Sequence, residues 1–252
     1  LKKHPRFKNM KIGLVYSNAA TRFEIQEVFK NTQSLYYKDV IGPIDVTKEH
    51  YDIIICDEAH RLRKGKNLGT YFRHFRNGNI RLNLDSSNDE LDWLLTNSDC
   101  LVLFYDKKQI VSASDIPYED FYNRIKSEFR GVRPVELTSQ MRIRAGENYV
   151  SYIFDILEQK SPKPMHFDNY DFKIFLSFSE MINALKQKEN ELGLCRLCGG
   201  DAWKWISKDY PSTPDISIDG IDIWWNKQTG GWLKNNDAKN DMGSIYSLPG
   251  LD

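Results

Sequence analysis

Residues 51–61 read YDIIICDEAHR, a short apolar run that ends in two adjacent carboxylates. Three consecutive isoleucines, Ile53 to Ile55, make this run β-branched, which is typical of a fully buried strand in a parallel sheet. In open α/β sheets, ligands bind in the crevice beyond the carboxyl ends of the strands. The sequence therefore predicts that Asp57 and Glu58 face a ligand site at the end of a central strand.

Two carboxylates in this position suit the hydrolysis of a nucleotide. Asp57 would hold Mg²⁺, usually through water, and Glu58 would orient or deprotonate the attacking water. The plainer alternative is a strand that ends in a solvated acidic turn, but the apolar run before the pair and Ala-His-Arg after it favour an ATPase. His60 either couples the acidic pair to a neighbouring domain or packs beside it, and the sequence leaves both roles open.

A second apolar run, residues 100–105 (CLVLFY), predicts another buried strand, followed by Asp106 and by Gln109. A glutamine amide can donate a hydrogen bond to phosphate and accept one from water, which suits Gln109 to sensing a γ-phosphate. Because neighbouring parallel strands end at the same edge of a sheet, both acidic strand ends should face one crevice.

The remaining periodicity predicts alternating strands and helices, hence a parallel sheet with helices on both faces. Ser17 and Asn18 predict the start of a helix over 19–30 with Phe23, Val28 and Phe29 as its apolar stripe. Further helices are predicted at 89–96, 115–130 and 149–158, and a fourth from a Ser179 cap to residue 191. The helix at 89–96 should have Leu91, Leu94 and Leu95 on one face and Trp93 off that face. The helix at 149–158 should have Ile153, Ile156 and Leu157 facing inward. Further strands are predicted at 11–16, 133–137, 172–176, 194–198 and from 243.

Composition restricts the class of protein without naming a partner. A chain of 252 residues can form one large or two modest domains, and its 35 basic and 35 acidic side chains cancel, so net charge indicates no polyanionic partner. The longest apolar runs are strand-sized, which predicts no membrane span. Four cysteines, two of them inside apolar runs, favour a reducing cytoplasm.

Because net charge is uninformative, a nucleic-acid partner can be predicted only from local basic segments. The loop after the acidic pair contains Arg61 and Arg63, and it is either a phosphate-backbone contact or a solvated surface loop. Arg73, His74 and Arg76 follow on a predicted short helix. The five tryptophans after residue 200 either fill a core, the commoner fate, or offer stacking faces to bases.

Two motifs are incomplete or absent. Cys195 and Cys198 have zinc-ligand spacing, but a structural zinc site needs a second pair, and Cys56 and Cys100 stand singly, so neither zinc nor a redox dithiol is favoured. No G-x-x-x-x-G-K-[ST] phosphate loop is present. Because the chain starts at Leu1 and stops in mid-pattern, we expect a fragment whose phosphate loop lies upstream, and which alone has little or no activity.

Taken in order, these motifs resemble the superfamily 1 helicase pattern. YDIIICDEAHRL resembles motif II, LFYDKKQ motif III, LTSQMR the arginine-bearing motif IV, and GSIYSLPGLD the start of motif V. A closer resemblance is to a bacterial family of uncharacterised P-loop proteins that is related to the Schlafen helicase-like region and often fused to a GIY-YIG nuclease domain. The pieces that carry it are DVIGP (39–43), CDEAHRL (56–62), LDWLL (91–95), FYDKKQ (104–109), ELTSQMR (136–142) and GLCRLCGGDAWKW (193–205).

This resemblance implies roles for individual residues. Asp57 would be the Mg²⁺ ligand, Glu58 the catalytic acid/base, Gln109 the γ-phosphate sensor and Arg142 an arginine finger, with ATP and Mg²⁺ as cofactors. The segment SNAATR, which contains Ser17, Asn18 and Arg22, would contact single-stranded nucleic acid. Motif VI is absent, and Pro249-Gly250 stands where the family has Gln-Gly in motif V, which removes an amide expected to contact strand or phosphate.

The predicted architecture is two RecA-like α/β lobes with mainly parallel sheets, 1–132 and 133–252, both incomplete. The predicted function is that of a nucleic-acid-dependent ATPase, a DNA or RNA helicase or translocase. Two alternatives remain open: an ATP-gated nucleic-acid-binding switch that controls a nuclease in the same polypeptide without unwinding, and a nucleotide-independent scaffold.

Overall fold

The structure, a computed structural model, describes residues 4–128, 135–137, 143–168, 170–227, 232 and 240–244. The chain divides into two compact units, and each is described by itself below. Among the described helices, none is both long enough and apolar enough to cross a membrane.

The first unit is built on a four-stranded sheet. Its strands are β1 (Ile12–Tyr16), β2 (Val40–Ile41), β3 (Tyr51–Asp57) and β4 (Ser98–Leu103), in the order β2-β1-β3-β4. All neighbouring pairs are parallel, which confirms the predicted α/β class. Its helices are α1 (Ala19–Lys30), α2 (Pro43–Val46), α3 (Phe72–Arg81), α4 (Glu90–Thr96) and α5 (Tyr118–Glu128), with 3₁₀ turns at Pro5–Phe7, Tyr37–Asp39, Ala59–Arg61 and Gly69–Tyr71.

The two strands that lead to the acidic ends differ in burial. β3 lies inside the sheet, and Ile54 and Cys56 are fully buried, as the apolar run predicted. β4 lies at the edge of the described sheet, and Cys100 and Val102 are exposed. The prediction of a second fully buried strand over 100–105 is therefore wrong, because β4 (Ser98–Leu103) has a neighbouring strand on one side only.

Helix bounds were predicted better than helix faces. The α1 helix runs over the predicted 19–30, and the Asn18 side chain caps it by accepting a hydrogen bond from the Ala20 N–H at 2.9 Å. Its predicted apolar stripe is wrong, because Phe23 and Val28 are 47% and 57% exposed. In α4 the prediction that Trp93 lies off the inward face is also wrong, since Trp93 is fully buried.

Trp93 is central to the core of the first unit. Its ring packs against Phe75 of α3 at a centroid distance of 5.0 Å and lies directly over Gly78. A Cβ atom on Gly78 would come within 2.7 Å of the Trp93 ring and 3.0 Å of Ile44. Glycine is therefore needed here so that α3 can approach the core closely.

Gly78→Ala is expected to destabilise the first unit by about 1–3 kcal/mol, because the added methyl group overpacks the core. This runs against the intrinsic preference of helices for alanine over glycine, about 1 kcal/mol. The measurement is urea unfolding followed by circular dichroism. Asn77→Ala, on the exposed side of the same helix, is the control and should be neutral or slightly stabilising; equal behaviour of the two variants would contradict the close packing.

The second unit contains a mixed sheet. Its elements are α6 (Gly146–Leu157), α7 (Phe178–Leu192), β5 (Leu197–Gly199), β6 (Ile216–Ile218) and β7 (Ile221–Trp225), and β8 (Asp241–Ser244) joins the sheet in the order β5-β8-β7-β6. The β6–β7 pair is antiparallel and is connected by Asp219 and Gly220, both at positive φ, as in a tight hairpin turn. β7 and β8 are parallel. The predicted parallel pairing therefore does not extend to this hairpin.

Several local predictions for the second unit are wrong. Residues 172–176 are not a strand, and neither are the described residues 135–137. The side chain that caps α7 is Ser177 and not Ser179, and Leu157, expected to face inward, is 70% exposed. The core here is a small cluster that includes Ile182, Ile216 and Ile223.

Candidate active site

Three parallel strands of the first unit bring the predicted acidic ends to one edge of the sheet. Tyr16, the last residue of β1, is in register with Asp57, the last residue of β3. Cys56 pairs with Leu103 at the end of β4, and the Phe104 N–H continues the ladder to the Cys56 carbonyl at 2.9 Å. The chain segments that follow β1, β3 and β4 therefore leave the sheet side by side.

The Asp57 carboxylate is held by two donors. Its Oδ1 accepts a hydrogen bond from the Glu58 N–H at 2.9 Å, and its Oδ2 accepts one from the Tyr16 hydroxyl at 2.8 Å. Burial raises the pKa of Tyr16, and the hydrogen bond to Asp57 raises it further. Tyr16 therefore remains a protonated donor and fixes the orientation of Asp57, a contact that the sequence pattern did not reveal.

Glu58 occupies a strained backbone position. Its φ of 53° and ψ of 40° lie in the left-handed region, which is uncommon for residues other than glycine. Such conformations cost on the order of 1–3 kcal/mol and cluster at functional sites. The turn directs the Glu58 side chain toward His60, with the two atoms Glu58 Oε2 and His60 Nε2 3.0 Å apart.

Glu58→Gly is expected to be more stable than Glu58→Ala by about 1 kcal/mol, because both changes remove the carboxylate but only glycine relieves the left-handed strain. Urea unfolding of the two variants measures the difference. The same pair of substitutions at Asn77, inside α3, should show the opposite order. If alanine is the more stable residue at both positions, Glu58 is not strained.

His60 is buried between the two strand ends. Its Nδ1 accepts a hydrogen bond from the Asp106 N–H at 3.3 Å, and its Nε2 lies 3.0 Å from Glu58 Oε2. The edge of the ring packs against Tyr105 at a centroid distance of 5.9 Å. His60 therefore links the acidic pair after β3 to the segment after β4, within the first unit.

The residues at this edge fit a hard cation. The buried oxygens Ser17 Oγ and Glu58 Oε2 make no hydrogen bond among the described residues; His60 Nε2 lies 3.0 Å from Glu58 Oε2 but is not aligned for a hydrogen bond. Carboxylate and hydroxyl oxygens are ligands that Mg²⁺ prefers, and Mg²⁺ commonly takes only one or two carboxylates, completing its shell with phosphate and water. The described residues contain no cluster of three or more His, Cys, Asp or Glu side chains that could hold a metal ion by themselves.

Gln109 lies in an exposed turn after β4. Its side-chain amide donates a hydrogen bond to Asp106 Oδ2 at 2.8 Å, while Asp106 Oδ1 accepts from the Lys108 N–H at 2.9 Å. A short rotation of the Gln109 side chain would exchange Asp106 for another acceptor. The structure therefore places Gln109 next to the acidic edge, with its donor already directed to an anionic oxygen.

Ser17 and Asn18 form the turn between β1 and α1, and Arg22 lies in the first turn of α1. Asn18 caps α1, and the Arg22 guanidinium donates to the Tyr16 carbonyl at 2.8 Å. This turn follows the strand end that pairs with Asp57, so the residues that resemble the nucleic-acid segment lie at the same edge as the acidic pair.

The basic loop after His60 is anchored on both sides. Arg61 faces the buried Asp115, with Nη1 3.7 Å from Oδ2, and the Arg63 guanidinium lies 4.8 Å above the Tyr71 ring. The Arg63 N–H donates to Glu90 Oε2 at 2.8 Å, and the Tyr71 hydroxyl donates to Glu90 Oε1 at 2.9 Å. Glu90 is fully buried, and this burial raises its pKa to about 7. Glu90 therefore holds the loop that starts at the acidic pair.

Some predicted residues lie outside the described part of the chain. These are Arg142, proposed as an arginine finger, and Pro249, together with most of the segments that resemble motifs IV and V.

The four cysteines are free thiols, and burial raises the pKa of Cys56 and of Cys198.

The sequence of the whole chain was compared with those of known proteins. The sequence model described as "Schlafen group 3, DNA/RNA helicase domain" matches residues 4–252. An uncharacterised protein of Saccharomyces cerevisiae, YPL245W, is 26% identical over 242 residues, which cover 84% of this chain and 49% of that protein. The chain thus spans about half the length of this curated relative. No solved structure matches. Since the family match covers almost the whole sequence, the chain belongs to the Schlafen group 3 DNA/RNA helicase domain family.

Proposed function

We propose that the chain is part of a nucleic-acid-dependent ATPase that acts as a DNA or RNA helicase or translocase. The observation that carries this proposal is the position of Asp57 and Glu58 at the carboxyl edge of a parallel sheet, in a member of a helicase-domain family. The proposed cofactors are ATP and Mg²⁺, and the proposed architecture is a pair of RecA-like lobes at 1–132 and 133–252. The sequence contains no G-x-x-x-x-G-K-[ST] loop, so the proposal concerns the full-length protein.

The residues of the acidic edge would divide the chemistry. Asp57, oriented by Tyr16, would hold Mg²⁺ directly or through water, and bound Mg²⁺ neutralises charge on the phosphate oxygens. Glu58 would accept a proton from the attacking water, with His60 beside it fixing the position of its carboxylate. Gln109 would donate its amide hydrogen to a phosphate oxygen, and Arg142 would supply positive charge to the transferring phosphoryl group.

Single-stranded nucleic acid is the proposed macromolecular partner at this edge. Ser17, Asn18 and Arg22 follow β1, and Arg61 and Arg63 follow the acidic pair, so a strand that crosses the edge could contact both segments. Arg63 suits phosphate contact better than Arg61, because Arg61 already faces the buried carboxylate of Asp115. Hydrolysis between the lobes would change their relative orientation and step the protein along the strand.

The test is Mg²⁺-dependent ATP hydrolysis by the full-length protein, with and without single-stranded DNA and RNA. We expect hydrolysis that nucleic acid stimulates, together with strand displacement on a tailed duplex. Nucleotide-dependent binding without displacement would favour the ATP-gated switch, with a nuclease as a possible target of its control. No hydrolysis under any of these conditions would contradict the proposal.

A further inference from the structure

One stretch of this chain departs sharply from the overall charge balance. Residues 59–84 contain none of the 35 acidic side chains. The same stretch contains seven of the 35 lysines and arginines: Arg61, Arg63, Lys64, Lys66, Arg73, Arg76 and Arg81. In a protein of zero formal net charge, such a segment produces a local positive field that net charge conceals.

The helix α3 in this stretch has two distinct faces. Phe75, Gly78 and Asn79 are buried, and the Asn79 side chain donates hydrogen bonds to the carbonyls of Asp85 and Asn88. The opposite face is exposed. Phe72, Arg76 and Ile80 form one row at four-residue spacing, with Arg73 beside them.

The composition of the exposed face is unusual for a solvated surface. Phe72 and Ile80 are 56% and 59% exposed, so two large apolar side chains flank the two arginines. No described carboxylate lies within ion-pair distance of Arg73 or Arg76, whereas Arg61 elsewhere in the same stretch faces Asp115. The two guanidinium groups on α3 are thus available to an external anion.

We propose that the α3 face formed by Phe72, Arg73, Arg76 and Ile80 binds single-stranded nucleic acid, with the arginines on the phosphates. Guanidinium groups bind phosphate oxygens in bidentate fashion, and arginines three residues apart on a helix are neighbours that can contact successive phosphates. The exposed Phe72 ring beside them offers a stacking face to a base, which an acidic peptide does not require. This proposal rests on the proposed function only for the class of ligand, nucleic acid, and adds a contact surface on a different element.

The test is binding of a fluorescein-labelled 20-nucleotide oligo(dT) to the full-length protein, followed by fluorescence anisotropy without nucleotide. Arg73→Ala/Arg76→Ala is expected to weaken binding by roughly tenfold at moderate salt. It should also reduce the slope of log K against log salt concentration by about 1.4, because each phosphate contact on a single strand contributes about 0.7. Phe72→Ala should weaken binding to the single strand by roughly tenfold and leave binding to a blunt duplex unchanged.

Two variants serve as controls. Lys186→Ala/Lys188→Ala removes the same charge from an exposed face of α7 and should leave affinity and slope unchanged. Arg73→Lys/Arg76→Lys keeps the charge, so it should keep the wild-type salt slope and lose less affinity than the double alanine variant, since lysine contacts phosphate only as a point charge. Circular dichroism confirms folding of each variant.

Wild-type affinity and salt slope in the double alanine variant would overturn the proposal, as would an equal loss in the α7 control. Competition by poly-glutamate as effective as that by oligo(dT), at equal charge concentration, would also overturn it, since the face would then bind any polyanion. The ATPase can fail separately: a protein that binds oligo(dT) through Arg73 and Arg76 but never hydrolyses ATP refutes the proposed function and supports this surface. If the protein hydrolyses ATP but its oligo(dT) binding is unchanged by the arginine substitutions, only the proposed α3 surface is refuted.

Discussion

Glu58→Gln is expected to reduce ATP hydrolysis by the full-length protein by about 10²- to 10⁴-fold, the usual contribution of a general base. The amide has the size of the carboxylate but cannot accept a proton from water. It also keeps a non-glycine residue at φ 53°, so the backbone turn and its strain are unchanged. Nucleotide binding should persist, because in the proposed mechanism Glu58 acts on the water and Asp57 holds the metal.

Turnover is measured by phosphate release under saturating ATP and Mg²⁺, and binding by a fluorescent nucleotide analogue. Glu119→Gln, an exposed carboxylate of α5, is the matched control and should have wild-type activity. Unchanged turnover in Glu58→Gln would remove Glu58 from the mechanism. Loss of nucleotide binding together with turnover would assign Glu58 to the site's structure instead of to the chemical step.

Glu90→Gln is expected to remove a large pH dependence from the stability of the first unit. Burial raises the pKa of Glu90 from 4.5 to about 7 in the folded protein. Between these two pH values the folded state retains a proton that the unfolded state has released, so the free energy of unfolding falls as pH rises. The shift corresponds to about 3 kcal/mol, lost across that window and not regained above it.

The glutamine variant should escape this loss and keep the same contacts. Its amide oxygen can accept from the Arg63 N–H, and its amide nitrogen can donate to the Tyr71 hydroxyl, which in the wild type donates to Glu90. Near pH 4.5 the two proteins should have similar stability, and at pH 8 the variant should be the more stable by up to about 3 kcal/mol. Urea unfolding at a series of pH values measures the difference, with Glu119→Gln as the exposed control. A constant difference across the series would show that Glu90 is not protonated in the folded protein at neutral pH.

The parts of the fold that depend on neighbouring residues were predictable from sequence. The β-branched run before Asp57 specifies a buried strand, and Asn18 specifies the start of α1, because both signals act within a few residues. It was also predictable that the acidic ends of β3 and β4 lie at the same edge of the sheet, since neighbouring parallel strands end at the same edge. Glu58 and Gln109 could be named as candidates because Glu58 directly follows β3 and Gln109 lies in the segment after β4.

The features that could not be predicted from the sequence depend on contacts between segments that are distant in the chain. Trp93 is buried because Gly78 leaves room above α3, and no periodicity within α4 reveals a gap on another helix. Phe23 is exposed because nothing described covers that side of α1. Tyr16 and Glu90 contact Asp57 and the basic loop from 41 and 27 residues away, so their roles had no local signal.

The second unit was harder to predict because its strands are short. An apolar run such as 172–176 has the composition of a strand but finds no partner in the described sheet, while three-residue β6 is stabilised by its hairpin to β7. Short runs are ambiguous because pairing, and not composition, decides whether they become strands.

The central claim is that Asp57 and Glu58 act on a magnesium-bound nucleotide, and a structure of the full-length protein with Mg²⁺ and a non-hydrolysable ATP analogue tests it most directly. We predict that Mg²⁺ lies against the Asp57 carboxylate, directly or through one water, and that Glu58 contacts a water in line with the γ-phosphate. A nucleotide bound elsewhere, with both carboxylates turned away from its phosphates, would contradict the account.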